Sequence, residues 1–139
     1  MAAGEQVRFE SYSQARAHLK ALLDAAAEGR SALIRRATTT AAVVDASRLR
    51  AALAAVAPRA EVVAEAGGWS VFVPGVPVAA DGPTFDEAVD EMIDALRDYA
   101  EDWESRLRSA PNHQQNWPLV QLIALSDDHG LRTWLVGEG

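Results

Sequence analysis

The sequence contains no cysteine, which rules out disulfides and thiolate zinc sites. No stretch reaches the 18 uninterrupted apolar residues that a membrane-spanning helix needs. The opening MAAGEQVRFES lacks the basic start and apolar core of a secretion signal, so a cytoplasmic protein is expected. The three histidines, His18, His113 and His129, are far apart and lack metal-ligand spacing. There is no glycine-rich phosphate loop, since Gly67-Gly68 is an isolated pair, and no serine sits in a nucleophile elbow. With no catalytic constellation, metal site or cofactor motif, the residues point away from an enzyme.

What is present is a globular composition, 49% hydrophobic and 24% charged. The net charge of −7 at first argues against nucleic acid, because a negative protein repels phosphate. That average hides a division. Residues 1–58 carry eight basic groups against five acids, net +3, whereas residues 59–139 carry five against fifteen, net −10. Such asymmetry suggests two units with different partners, although charge also divides unevenly by chance.

The pattern of elements is mixed. Val7 to Ser11 reads as a short strand, and Ser13 as the cap of a helix through QARAHLKALLDAAAEG. That helix places Ala15, Leu19, Leu22, Leu23 and Ala26 on one face, and Gly29 ends it. SALIRR and TAAVVDA read as strands around a threonine turn, and Asp45 or Ser47 opens a short helix that Pro58 stops. After Pro58-Arg59-Ala60-Glu61, two or three strands follow, with Trp69, Val71 and Val73 alternating with Ser70 and Phe72. Thr84 and Glu87 form a capping box before the strongest helix. One face of that helix is apolar from Phe85 to Leu107, and the other carries nine acids. WPLVQLIAL is helical or extended, and Ser126-Asp127-Asp128 caps a last helix in HGLRTWLVG.

Two stretches resemble known families. SYSQARAHLKALLDAAAEGRSALIRR…AAVVDASRL, within residues 7–57, resembles the dimerisation and DNA-binding domain of Phd/YefM antitoxins. The resemblance implies a symmetric dimer gripping palindromic operator DNA, with Arg16 and Arg36 as the contacting pair. It departs from that family at Thr38–Thr40, where a glycine- or asparagine-containing turn is usual. GGWSVFVPGVPVAADGPTFDEAVDEMIDALRDYAEDW, within residues 62–103, looks like HicB-type antitoxin domains. Here it departs at Val78-Ala79-Ala80, so no binding detail carries over. The implied fold is α+β: a small strand-helix-strand-strand-helix domain over 1–58, then a HicB-like strand-strand-helix domain with a helical tail over 59–139.

The implied function is an antitoxin that neutralises a toxin, a ribonuclease of RelE or related type, and represses its own operon. Arginine suits operator DNA because its planar fork grips phosphate or the guanine edge. Arg35 and Arg36 should point to opposite faces of their strand, and Arg16 should lie at a helix start beside free amides. Ser11, Ser13, Lys20 and Thr39 add phosphate contacts. Equally, these groups are ordinary solvated surface. On the toxin side, Asp94, Asp98 and Glu101 are the acids, and Trp117, Leu119, Leu122 and Ile123 the apolar anchors, with Leu131 and Trp134 in reserve. The plain readings are a solvated helix face and core packing. Expected partners are operator DNA, a protein toxin and a second copy of the chain, with higher oligomers open. A ligand-responsive transcriptional regulator without a toxin is the alternative, and an oligomerisation module that has lost both partners is a third.

Overall fold

The computed structural model describes residues 7–137. It is a mixed α+β protein of two compact units, one ending at Leu49 and the other beginning at Arg50.

The first unit contains strand β1 (Val7–Phe9), helices α1 (Tyr12–Ala17) and α2 (Leu19–Ala27), and strands β2 (Ala32–Arg36) and β3 (Thr39–Val43). The sheet order is β1-β2-β3, with β1 parallel to β2 and β3 antiparallel to it. A parallel pair needs a crossover, which α1 and α2 supply. Their residues Ala15, Leu22 and Ala25 form a small core with Ala32, joined by Val7, Phe9, Ile34 and Val43.

Two expectations for this region change. The helix cap is Ser11, not Ser13: Ser11 is extended, and its hydroxyl accepts from the Gln14 amide at 3.2 Å. The expected single helix is two, parted at His18 (φ −122°, ψ 33°). There the imidazole Nδ1 lies 3.0 Å from the Gln14 carbonyl, and the ring stacks on Phe9. The break changes the helix phase, so Leu19 and Leu23 lie outside the core at 54% and 52% exposure. Gly29 ends α2 at φ +82°, where the amides of Gly29 and Arg30 bond back to Ala26 and Ala25.

Helix α3 (Ala46–Val56) opens on Asp45, whose carboxylate accepts from the Arg48 amide at 3.0 Å. The division between the units runs through this helix, ahead of the Pro58–Glu61 stretch.

The second unit holds an antiparallel meander, β4 (Glu61–Glu65), β5 (Gly68–Phe72) and β6 (Ala79–Gly82). Helix α4 (Phe85–Asp102) follows and continues as one π-helical turn, Trp103–Leu107. A 3-10 turn, Gln114–Asn116, leads into α5 (Trp117–Ala124) and α6 (Asp128–Val136). Thr84 caps α4 by accepting from the Glu87 amide at 3.1 Å, and Asp127 caps α6 by accepting from Gly130 at 2.7 Å.

One face of α4 (Ala88, Val89, Met92, Ile93, Leu96) is buried against the sheet and the C-terminal helices. The sheet presents Val71, with Val62, Ala80 and Trp69, to that core. Gly82 permits the close approach of α4 to β6, since a Cβ there would lie 2.7 Å from the Ala88 amide nitrogen. At the far end, a polar network is enclosed: Asn116 donates to the Tyr99 hydroxyl, which bonds to His113 Nδ1, and the Trp103 indole donates to the His113 carbonyl, all at 2.8 Å.

Candidate functional site

Every nominated DNA contact is in the first unit. Strand alternation puts Arg36 in the row of Ala32 and Ile34, on the face that the helices cover, and Arg35 in the row of Leu33 on the opposite face. Thr39 is the register partner of Arg36, and Thr40 of Arg35. Arg36 and Thr39 therefore end the helix-bearing face, beyond the small core.

Arg16 is exposed in the last turn of α1. This corrects the expected place at a helix start. Because α1 ends at Ala17, ahead of the break at His18, Arg16 lies near the carbonyl end of α1, where a cation is favoured. Among the described residues, neither the Arg16 nor the Arg36 side chain takes part in a hydrogen bond or ion pair.

The remaining candidates differ in availability. Lys20 pairs with Asp24 at 2.8 Å, and that hydrogen bond and charge hold its ammonium above the ordinary 10.5. Arg35 donates weakly to the Ala37 carbonyl at 3.4 Å. Ser11 is engaged as the helix cap, while Ser13 and Thr39 are exposed. Of the nominated residues, Arg16 and Arg36 are thus free and Ser11 and Lys20 are committed to local partners.

In the second unit the cations are mostly engaged internally. Arg97 donates to the Ile123 and Ser126 carbonyls, both at 2.8 Å, and to Asp128 at 2.9 Å. Arg132 bridges Asp86 and Asp90 at 2.5 and 2.8 Å. Arg50 donates to the Ser126 hydroxyl and the Gly130 carbonyl. These three arginines join elements remote in sequence, and nothing in the local pattern marks them.

The nominated toxin contacts separate into two groups. Asp94, Asp98 and Glu101 are exposed on α4, without an ion pair among the described residues. Trp117 is 48% exposed. Leu119, Leu122 and Ile123 are buried, as is Leu131, so these side chains present nothing to a partner in this conformation. Trp134 packs partly against the same core.

The glycine-tryptophan hairpin forms an open cleft of about 300 Å³ with Glu65, Trp69 and Asp81 among its lining residues. Among the described residues, no group of three potential ligands could hold a metal, and no helix is long and apolar enough to cross a membrane.

A family model described as PHD_like, an antitoxin of toxin-antitoxin, RelE / RelB, TA system, matches residues 7–135. No curated protein matches the chain in sequence. The fold is similar to that of a crystal structure from Syntrophomonas wolfei subsp. wolfei, described as the antitoxin part of a candidate toxin/antitoxin system. The TM-score is 0.74 over 94% of this chain and 96% of that one, at 16% identity.

Proposed function

The chain belongs to the PHD_like family of toxin–antitoxin antitoxins, and from that membership we propose that it neutralises a ribonuclease toxin of RelE type and represses its own operon as a dimer. The observation that carries this reading is the separation of uncommitted charge. In the first unit Arg16 and Arg36 are exposed and unpaired among the described residues. In the second, exposed carboxylates at Glu87, Glu91, Asp94, Asp98, Glu101 and Glu104 are free of ion pairs among the described residues and outnumber the exposed, unpaired Arg59 and Arg108, while Arg97 and Arg132 are held by internal partners.

Phosphate therefore has an attractive surface on the first unit, and a basic protein has one on the second. The Phd/YefM-like role of the first unit and the HicB-like role of the second are parts of the same proposal. Dimerisation through the first unit is supported by its small core and by Tyr12, Leu19 and Leu23, whose apolar surface faces solvent in the single chain. Pairing would also double the number of phosphate contacts.

Binding of the full chain to its own promoter DNA, titrated at several salt concentrations, tests the repressor half. Arg16→Ala and Arg36→Ala should each weaken binding and lower the salt slope by about 1. Their melting temperatures should match the parent, since neither side chain has a partner to lose. Unchanged affinity in both variants would remove these arginines from the DNA surface.

A further inference from the structure

Strand register divides the second sheet into two faces of different chemistry. Val62, Val71 and Ala80 share one row and Trp69 lies in another of the same parity, all directed to the core. The opposite face has the rows Glu61–Phe72–Ala79 and Val63–Ser70–Asp81, with Glu65 beside Gly68. Val63 is 40% exposed, Ala79 is exposed, and Phe72 is partly exposed and outside the core cluster. Phe72 is directly opposite Ala79 and diagonal to Val63, so the three form an apolar line across all three strands.

Glu61, Glu65 and Asp81 flank that line. All three are exposed and free of ion pairs among the described residues, and the strands EVVAE, GWSVF and AADG contain no Lys, Arg or His. A solvent-facing antiparallel sheet ordinarily carries polar residues. Here an apolar centre is bounded by charge of one sign.

We propose that this outer face of the β4-β5-β6 sheet is the docking surface for a basic protein, one that offers an apolar projection ringed by Lys or Arg. The proposal rests on the antitoxin reading above, with the toxin as that protein. Three occupants compete for such a face, and charge decides among them. Nucleic acid is repelled by the carboxylates. A second copy laid face to face would bring two sets of Glu61, Glu65 and Asp81 together, a like-charge arrangement that disfavours the pairing. A basic protein gains on both counts, because the centre supplies burial and the border supplies opposite charge.

Helix α4 cannot serve equally well. Its exposed row is acidic, but its apolar side chains Ala88, Val89, Met92, Ile93 and Leu96 are buried. It can speed encounter without anchoring the complex.

The test titrates the full chain with the purified product of the reading frame adjacent to its gene, following heat by calorimetry and size by light scattering. Val63→Lys and Ala79→Lys place a cation on exposed positions of the face, and Glu65→Lys reverses its border while sparing the apolar centre. Ala55→Lys on α3, an exposed position with no assigned role, makes the same one-unit charge change as the first two. Each sheet variant that retains the parent melting temperature should weaken Kd by at least about tenfold, whereas Ala55→Lys should change Kd by less than about threefold. Sheet variants that bind like the parent would overturn the surface while leaving the antitoxin reading intact. A parent chain that binds nothing would overturn both. Loss of self-association with unchanged heat of toxin binding would give the face to a second copy and overturn the proposal.

Discussion

At the scale of single residues, arginine does two different jobs in this chain. Arg97 supplies donors to the carbonyls of Ile123 and Ser126 and to Asp128, so it closes the end of α5 and the turn into α6. Arg97→Ala takes the guanidinium donors from the Ser126 carbonyl and from Ile123, whose carbonyl keeps the Ser126 amide at 3.2 Å, and the expected loss is about 1.5–3 kcal/mol in denaturant unfolding. Arg132→Ala breaks two ion pairs whose carboxylates are largely in water, at 78% and 69% side-chain exposure, and should cost about 1 kcal/mol or less. Equal losses for the two variants would contradict this ordering. The residue types expected at the DNA surface were legible in SQAR and LIRR, but their surroundings were not. Arg16 moves to the carbonyl end of α1 because that helix ends at Ala17, before the break at His18, and Lys20 is already paired with Asp24. Leu119, Leu122 and Ile123 read as available anchors in sequence, since an apolar run looks the same whether it faces a partner or its own core.

At the scale of elements, local signals place most of the boundaries. Thr84 and Gly29 act at helix ends as their chemistry predicts, and the alternation around Trp69 produces a strand with one buried face. The α1–α2 break was hidden because it comes from His18, a residue with no breaker signature, held by the Gln14 carbonyl and the Phe9 ring. The β2–β3 turn, where the sequence has no glycine or asparagine, puts Ala37 at φ +51°. That conformation crowds a Cβ, so Ala37→Gly should stabilise the protein by up to about 1 kcal/mol, net of the glycine's greater freedom when unfolded. A lowered melting temperature would show that the turn carries no such strain. Gly82→Ala should act in the opposite direction, destabilising by about 1–3 kcal/mol, because the new methyl meets the backbone of α4 at Ala88. Far-ultraviolet circular dichroism during thermal melting reads both variants.

At the scale of the whole molecule, the first unit carries a net positive charge and the second a net negative one, while the overall value of −7 conceals the division. The mixed α+β fold gives each unit its own sheet and helices. Association with a basic toxin should be steered by the acidic unit, so its on-rate should fall as salt rises, with a smaller change in off-rate. Stopped-flow mixing at low and physiological salt separates the two, and a salt-independent on-rate would argue against steering. The charge division was readable in the sequence. Which carboxylates remain free was not, because Arg97 and Arg132 reach their partners only after folding.

The measurement that bears most directly on the antitoxin function is co-expression with the product of the adjacent reading frame, scored by growth and by co-purification. Arrested growth from that product alone, restored by this chain with a stable complex recovered, is the expected result. An unrelieved arrest with no complex would contradict neutralisation of that protein.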